Sequence, residues 1–201
     1  MLSLFWRLVT TVVRALCGVG AAGVAFEDKS APKLNSLVPG GGHRLASIEE
    51  FARRIREARA AQTNAGFVVV ARTEALIAGL GLPEALARAE AYADAGADAV
   101  LVHSKAPTFD EVGRFLRGWS RNVPVLCVPT TYAATPPETF AAAGVSGVIW
   151  ANQLMRAAVD AMQRTARDIV RARNAAGVEH RIAPVPELWR LQQISLPREV
   201  A

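Results

Sequence analysis

The sequence predicts an α/β fold built on a parallel sheet. Five apolar runs each lead, through a polar or glycine-bearing loop, into a segment with helical periodicity. The runs are apolar on both faces, and the helical segments between them are long enough to act as crossover helices. A complete (β/α)₈ barrel takes about 250 residues, and this chain has 201. The pattern therefore fits either an open, doubly wound sheet or part of a barrel.

The N-terminal segment is predicted to form a helix over residues 2–16, a glycine-rich turn over residues 18–23 and a first strand that ends at Phe26. Arg7 and Arg14 interrupt the apolar run, so no stretch has the length that a bilayer requires. No basic region precedes the apolar run, as one would in a secretory signal. We expect a buried or amphipathic helix, with peripheral membrane attachment through the first sixteen residues as the alternative.

The remaining elements repeat the strand and helix pattern. The predicted strands cover residues 67–72, 98–104, 123–130 and 145–152. A long helix is predicted to start near Leu154. Ser47, with Glu50 three residues later, predicts a capping box at the start of the helix that follows the first strand. Gly96 and Gly144 stand where a glycine commonly ends a helix.

Charge and cysteine content narrow the function classes. The net charge of +5 comes from arginines scattered along predicted helices, without a block of like charges or interleaved aromatic residues. We therefore expect no nucleic-acid partner, and a basic surface that attracts a small anionic substrate. Cys17 and Cys127 lie far apart, each in an apolar stretch, which predicts buried thiols and a reducing, cytoplasmic setting.

Polar side chains follow all five predicted strands. They are Glu27, Asp28, Arg72, Glu74, His103, Ser104, Thr130 and Asn152. Parallel α/β folds bind their ligands at this end of the strands. Any one of these residues could be a turn-former or a helix cap. Their recurrence after five successive strands predicts a shared ligand site.

Three motifs carry a resemblance to a known family. The segments GVAFEDKSAPKLNS, VVVARTEALIAGLGLPEALARAEAYADAGADAVLVHSK and GVIWANQLMRA resemble the phosphoenolpyruvate mutase family, within the isocitrate lyase/phosphoenolpyruvate mutase superfamily. The similarity covers residues 23–191. It implies an incomplete (β/α)₈ TIM barrel that holds strands four to eight with their helices and lacks strands one to three. Residues 1–201 would then form a single domain, with a divergent helix over residues 1–18 and the partial barrel over residues 23–191.

The resemblance also implies a role for individual residues. Glu27 would reach Mg²⁺, the expected cofactor, through the water shell of the ion, which keeps several waters in most protein sites. Arg72 and His103 would hold the phosphoryl group, since a guanidinium donates from a rigid fork. The implied catalytic residues are Lys33, Asn35, Arg72 and His103, and the implied substrate-binding residues are Asn35, Ser36, Arg72 and His103.

The implied reaction interconverts phosphoenolpyruvate and phosphonopyruvate, as in phosphonate biosynthesis. Asn35, in the KLNS segment of a loop that closes over the substrate in this family, favours a mutase over a phosphonopyruvate hydrolase. The hydrolase, another member of the superfamily and a truncated, inactive homologue stay open as alternatives. The expected partner is a small anion such as phosphoenolpyruvate or phosphonopyruvate, and the sequence leaves a homo-oligomer open.

Overall fold

Five parallel strands follow one another across a single sheet in the order β1-β2-β3-β4-β5. The structure is a computed structural model that describes residues 2–38, 40 and 42–192, with side chains from Leu8 onward. The strands are β1 Gly23–Glu27, β2 Val68–Thr73, β3 Ala99–Val102, β4 Val125–Cys127 and β5 Gly147–Val148. The helices are α1 Leu2–Gly18, α2 Ile48–Ala61, α3 Gly81–Asp94, α4 Asp110–Gly118, α5 Pro137–Ala142, α6 Gln153–Ala172 and α7 Val185–Leu191, with a short 3₁₀ helix at Glu179–Arg181.

The strand order decides between the two parallel architectures. A doubly wound sheet reverses its strand order at a switch point, whereas here each strand pairs with the next one along the chain. Each successive pair is joined through a helix. This sequential winding is that of a (β/α)₈ barrel. The prediction of a partial TIM barrel is confirmed.

The last two strands are shorter than predicted. β4 occupies Val125–Cys127 within the predicted 123–130, and β5 occupies Gly147–Val148 within the predicted 145–152. Pro124 and Pro129 flank β4, and a proline has no N–H to donate to the ladder. β5 pairs with β4 at two register positions, and α6 begins directly after Asn152. The apolar run at residues 145–152 is therefore longer than the segment whose backbone pairs with β4.

The predicted helix ends are largely as expected. The Oγ of Ser47 accepts a hydrogen bond from the N–H of Glu50 at 3.1 Å, while the Glu50 carboxylate pairs with Arg54, so half of the capping box forms. Gly96 and Gly144 adopt φ values of 97° and 88°. Each follows its helix by two residues and closes it with a pair of backbone hydrogen bonds of the Schellman type.

Helix α2 packs against one face of the sheet at β2. Val69 and Ala71 of β2 are fully buried in a hydrophobic cluster with Phe51 and Ile55 of α2. On the other face of β2, Val68 is 40% exposed. Gly23 begins β1 beside Val68, where an added Cβ would lie 2.4 Å from the Val68 carbonyl oxygen. Only glycine allows this approach of the first two strands.

Two further expectations concern the thiols and the N-terminal segment. Cys17 and Cys127 are both free; Cys127 is buried as predicted, and Cys17 is partly exposed. In the part of the chain that the structure describes, no helix combines the length and apolar character needed to cross a membrane.

The described chain divides into two units, Met1–Ala151 and Asn152–Ala201. The first contains the sheet and helices α1 to α5. The second contains α6, the 3₁₀ helix and α7. Within it, α6 ends where Arg173 adopts a left-handed backbone with φ 57°. The guanidinium of Arg181 then donates to Asp168 of α6 at 2.6 Å.

Candidate active site

The register of the strands brings the predicted site residues together. Glu27 at the end of β1 is the register partner of Arg72 on β2. Thr73 is the partner of Val102 on β3, so His103 follows at the same level. The carboxyl ends of parallel strands share one edge of the sheet. Residues far apart in sequence thus meet at the edge where the sequence predicted a site.

One buried carboxylate, that of Glu74, lies at the centre of this edge with no exposed surface. Its Oε1 accepts from Nε of Arg72 at 2.7 Å and lies 2.7 Å from Arg72 Nη2. The same oxygen is 2.9 Å from Nδ1 of His103. Its Oε2 accepts from Oγ of Ser36 at 2.5 Å and pairs with Nζ of Lys29 at 3.1 Å. We call these five residues the Glu74 cluster.

The surroundings of Glu74 keep it ionised. Burial alone would raise the pKa of its carboxyl, because a charge loses solvation in the interior. The hydrogen bonds from His103 and Ser36, together with the positive charge of Arg72, outweigh burial and lower the pKa of Glu74 below its ordinary value. The carboxylate therefore acts as a fixed acceptor for the groups around it.

A second buried carboxylate supports the first. Asp28 accepts from the backbone N–H of Glu74 at 2.9 Å, from Tyr92 Oη at 2.9 Å and from Thr73 Oγ1 at 3.1 Å, and it pairs with Arg88 at 3.3 Å. Burial raises the pKa of Asp28, and these hydrogen bonds and the Arg88 charge oppose the rise. This network ties the end of β1 to the start of the β2–α3 loop and to α3.

Arg72 connects the buried cluster with the more exposed part of the site. Its Nε lies 3.3 Å from Oε2 of Glu27, and its side chain is 24% exposed. Glu27, 21% exposed, also pairs with Nζ of Lys33 at 3.6 Å. The Lys33 side chain is 52% exposed. Cationic groups therefore flank the predicted metal-facing carboxylate from the next strand and from the following loop.

The loop after β1 is attached to the cluster through Ser36. The Ser36 hydroxyl donates to Glu74 and accepts from Nζ of Lys29 at 2.7 Å and from Nη2 of Arg72 at 3.2 Å. One donor and two acceptor positions complete the hydrogen-bonding capacity of a hydroxyl. Asn35 is exposed, and its Oδ1 accepts from the N–H of Leu37 at 2.9 Å in a local turn. The structure thus gives Ser36 an anchoring contact and Asn35 a turn contact.

The residues at this edge fit an outer-sphere role toward a divalent cation better than direct coordination. Among the residues that the structure describes, no group of three or more His, Cys, Asp and Glu side chains is arranged to hold a metal ion. The oxygens of Asp28 and Glu74 already accept from several donors. Glu27 is partly exposed, so its carboxylate is free to accept from a metal-bound water, the role that the family resemblance implies.

Several residues of the site were not singled out from the sequence. Lys29 is 3% exposed, and its ammonium also donates to the carbonyl oxygen of Leu34 at 2.9 Å. A lysine in a polar loop ordinarily indicates a solvated side chain. Arg88 read as part of a basic helix surface, yet it is 6% exposed. Ser104, by contrast, is one of the strand-end polar residues named from the sequence, and it donates to Glu111 at the start of α4.

The chain also matches known proteins. The family model described as phosphoenolpyruvate phosphomutase matches residues 6–170. The chain belongs to this family. Phosphoenolpyruvate phosphomutase from Tetrahymena pyriformis is 50% identical over 171 residues, which are 85% of this chain and 57% of that protein.

Solved structures of the phosphoenolpyruvate phosphomutase family and its neighbours share the fold. The crystal structure of phosphoenolpyruvate phosphomutase from Streptomyces platensis subsp. rosaceus superposes with a TM-score of 0.90 at 43% identity, covering 94% of this chain and 65% of that one. Phosphonopyruvate hydrolase in complex with oxalate and Mg²⁺ superposes with a TM-score of 0.83 at 40% identity, covering 92% and 63%. The chain therefore spans less than two thirds of the length of these relatives.

Proposed function

We propose that this chain acts as a phosphoenolpyruvate mutase, in the interconversion of phosphoenolpyruvate and phosphonopyruvate. In this isomerisation the P–O bond to the enol oxygen breaks and a P–C bond forms at the methylene carbon, so no atom is gained or lost. One observation carries the proposal. Arg72 and His103 meet on the buried Glu74 carboxylate, beside a loop with an exposed lysine, Lys33.

The cationic groups suit a phosphoryl group in transit. Such a group carries its negative charge on the peripheral oxygens, and catalysis depends mainly on positioning and charge stabilisation. The described contacts of Arg72 use Nε and Nη2, which leaves Nη1 to donate to a phosphoryl oxygen. His103 would donate from the ring nitrogen that does not face Glu74. Lys33 would add a second positive charge from the loop, with Asn35 and Ser36 fixing the geometry of that loop.

In this proposal, Glu27 is the one described residue assigned to Mg²⁺, which it would contact through a metal-bound water. The hydrolase relative was solved with Mg²⁺ and oxalate, and Glu27 is the described carboxylate that could hold a water of such an ion. The ion, when bound, would supply positive charge that stabilises an enolate-like anion. The described residues do not form its direct coordination sphere, so the roles assigned above involve the protein's own side chains.

The second candidate is phosphonopyruvate hydrolysis, because the hydrolase structure is nearly as similar as the mutase structure. Both reactions require the enzyme to bind the phosphoryl group. They differ in the acceptor of that group, which is water in the hydrolase reaction and the methylene carbon or enol oxygen in the mutase reaction. Asn35, in the loop segment KLNS, supports the mutase.

A cytoplasmic location and participation in phosphonate biosynthesis are parts of the mutase proposal, as is a small anionic substrate. A homologue without activity is the third outcome.

Phosphorus NMR of the 201-residue chain with phosphonopyruvate and Mg²⁺ distinguishes the three. Phosphoenolpyruvate as the product would support the mutase. Inorganic phosphate would support the hydrolase. An unchanged phosphonate resonance from a folded sample would refute both activities for this chain. Arg72→Met serves as the inactive reference and Arg121→Met as its matched control, since Arg121 pairs with Asp94 on the exposed surface.

A further inference from the structure

Glu74 has no role in the residue assignments above, yet its side chain contacts four other side chains of the site. Its oxygens face a guanidinium, an imidazole, a hydroxyl and an ammonium, those of Arg72, His103, Ser36 and Lys29. No part of Glu74 is exposed. A buried carboxylate in this position cannot itself reach a substrate, so any influence on the reaction must act through its neighbours.

The contact with His103 is the most informative. Nδ1 of this ring lies 2.9 Å from Oε1 of Glu74 and also 2.9 Å from Nη2 of Arg72. An ionised carboxylate can only accept a hydrogen bond, and a guanidinium can only donate one. The two neighbours therefore make opposite demands on Nδ1. Glu74 favours a proton on Nδ1, whereas Arg72 favours a lone pair there.

The other contacts of Arg72 favour Glu74 in this competition. Nη2 of Arg72 lies 2.7 Å from Oε1 of Glu74 and 3.2 Å from Oγ of Ser36. Nη2 also lies 2.9 Å from Nδ1, but these two oxygens offer its hydrogens other acceptors, so Arg72 does not require a lone pair on the ring. An N–H donated to a buried carboxylate is a charge-assisted hydrogen bond, which is stronger than a neutral one. These contacts favour Nδ1 as the protonated ring nitrogen.

We propose that Glu74 is a positioning residue, which holds a proton on Nδ1 of His103 and thereby assigns Nε2 to the ligand. In the neutral ring Nε2 carries the lone pair, and in the charged ring Nε2–H donates toward an anion. The partner on the other ring nitrogen commonly fixes the tautomer of a functional histidine in this way. That the anion is a phosphoryl group rests on the proposed function, whereas the proton on Nδ1 does not.

The same carboxylate also links the ring to the loop. Lys29 donates to Leu34 O and Ser36 Oγ and forms an ion pair with Glu74 Oε2, so its ammonium group faces three acceptors. Residues 34–36 are therefore tied to the acceptor that orients His103 and Arg72. The loop that carries Lys33 and the two residues Arg72 and His103 are thus all held by the carboxylate of Glu74.

The test reads the tautomer directly and needs no turnover. The chain has three histidines, so the double variant His43→Gln/His180→Gln retains His103 as its single imidazole. Two-bond ¹H–¹⁵N correlation at alkaline pH then shows which nitrogen carries the proton. We expect Nδ1–H. A proton on Nε2 would overturn the proposal without any further variant.

Substitutions at Glu74 in the same background complete the test. Glu74→Gln removes the charge at nearly constant shape, and we expect the ring proton to move to Nε2 while Nδ1 accepts from Arg72. Glu74→Asp retains a carboxylate, and we expect the proton to return to Nδ1. Asp28→Asn is the control, because Asp28 is equally buried and contacts Glu74 through its backbone. An unchanged tautomer in Glu74→Gln, or the same change in Asp28→Asn, would refute the positioning role.

This outcome is separable from that of the proposed function. A chain that turns over no phosphonopyruvate could still show Nδ1–H on His103, and it would lose that proton in Glu74→Gln. Conversely, an active chain with Nε2–H would keep the mutase proposal and lose this one.

Discussion

The carboxylate of Glu27 and the guanidinium of Arg72 form an ion pair, 3.3 Å apart, between register partners on β1 and β2. The family resemblance implies a metal-facing role for the first and a phosphoryl-binding role for the second. In the parallel register the two are direct neighbours, so an anion held by Arg72 would lie close to any cation held near Glu27. This proximity is the basis for the first prediction.

Replacing Arg72 with lysine should reduce activity far more than the conserved charge suggests. A single ammonium cannot pair with Glu74 and Glu27 while also donating to a ligand, because it lacks the planar fork of a guanidinium. Hydrogen bonds to charged groups contribute about 1.5–3 kcal/mol, so we expect roughly a 10- to 150-fold loss in kcat/KM. Phosphorus NMR time courses measure it. Turnover equal to that of the wild type would contradict the assigned role.

Ser36 and Asn35 are adjacent residues that should separate stability from activity. Ser36→Ala removes one hydrogen-bond partner from each of the buried groups of Lys29 and Glu74, and we expect a loss of about 1–3 kcal/mol in the free energy of unfolding. Asn35→Ala alters an exposed turn, so its change in stability should stay within about 0.5 kcal/mol. Urea denaturation measures both.

For Asn35→Ala there is also an expectation for the reaction. Asn35→Ala should impair the mutase reaction although the protein stays folded, since its implied role is contact with the bound anion. A large loss of stability in Asn35→Ala with unchanged activity per folded molecule would instead indicate a purely structural loop residue.

Stability should depend on pH through Glu74. Its pKa is lowered from 4.5 in the folded state, so the folded chain binds fewer protons than the unfolded chain as the pH falls below that value. The stabilisation is complete at neutral pH and is lost as the pH falls, by at most about 1.4 kcal/mol per pH unit. Urea denaturation of the wild type and Glu74→Gln from about pH 6 to about pH 3.5 should show their difference narrowing toward acid. A constant difference would argue against an ionised, stabilising Glu74.

Arg88→Met should destabilise the fold strongly. Arg88 pairs with Asp28, whose side chain has no exposed surface, and removing one partner leaves an uncompensated buried charge at a cost of about 3–5 kcal/mol. Thermal and urea unfolding measure the change. Arg121→Met, at an exposed pair with Asp94, should have no measurable effect. Similar results for the two variants would mean that the Asp28 network contributes little.

The architecture and the location of the site could be predicted because both depend on local patterns. Apolar runs alternating with helical periodicity define strands and helices, and parallel strands place their C-terminal residues at one edge. Arg72 and His103 are found where that rule predicts. The glycines at 96 and 144 end their helices because their backbone conformation is local to each helix end.

The hydrogen-bonded networks could not be predicted, because their partners lie far apart along the chain. Lys29 is buried since Glu74, 45 positions later, supplies a carboxylate beside it. Arg88 pairs with Asp28 across 60 positions. A single sequence shows the charge of each residue but not which charge it meets. The extent of β5 was missed for a similar reason, since strand length depends on the pairing available and not only on apolar character.

The absence of a side chain at Gly23 also governs the geometry of the charges at the other end of its strand. Gly23 and Glu27 are the first and last residues of β1, so about 13 Å of strand separates the tight contact with Val68 from the ion pair with Arg72. A methyl group at position 23 would push the start of β1 away from Val68, and the displacement would be passed along the strand. The distance between Glu27 and Arg72 would then change although neither residue had been substituted. A glycine without any chemical role therefore sets the geometry of an ion pair at the other end of its strand.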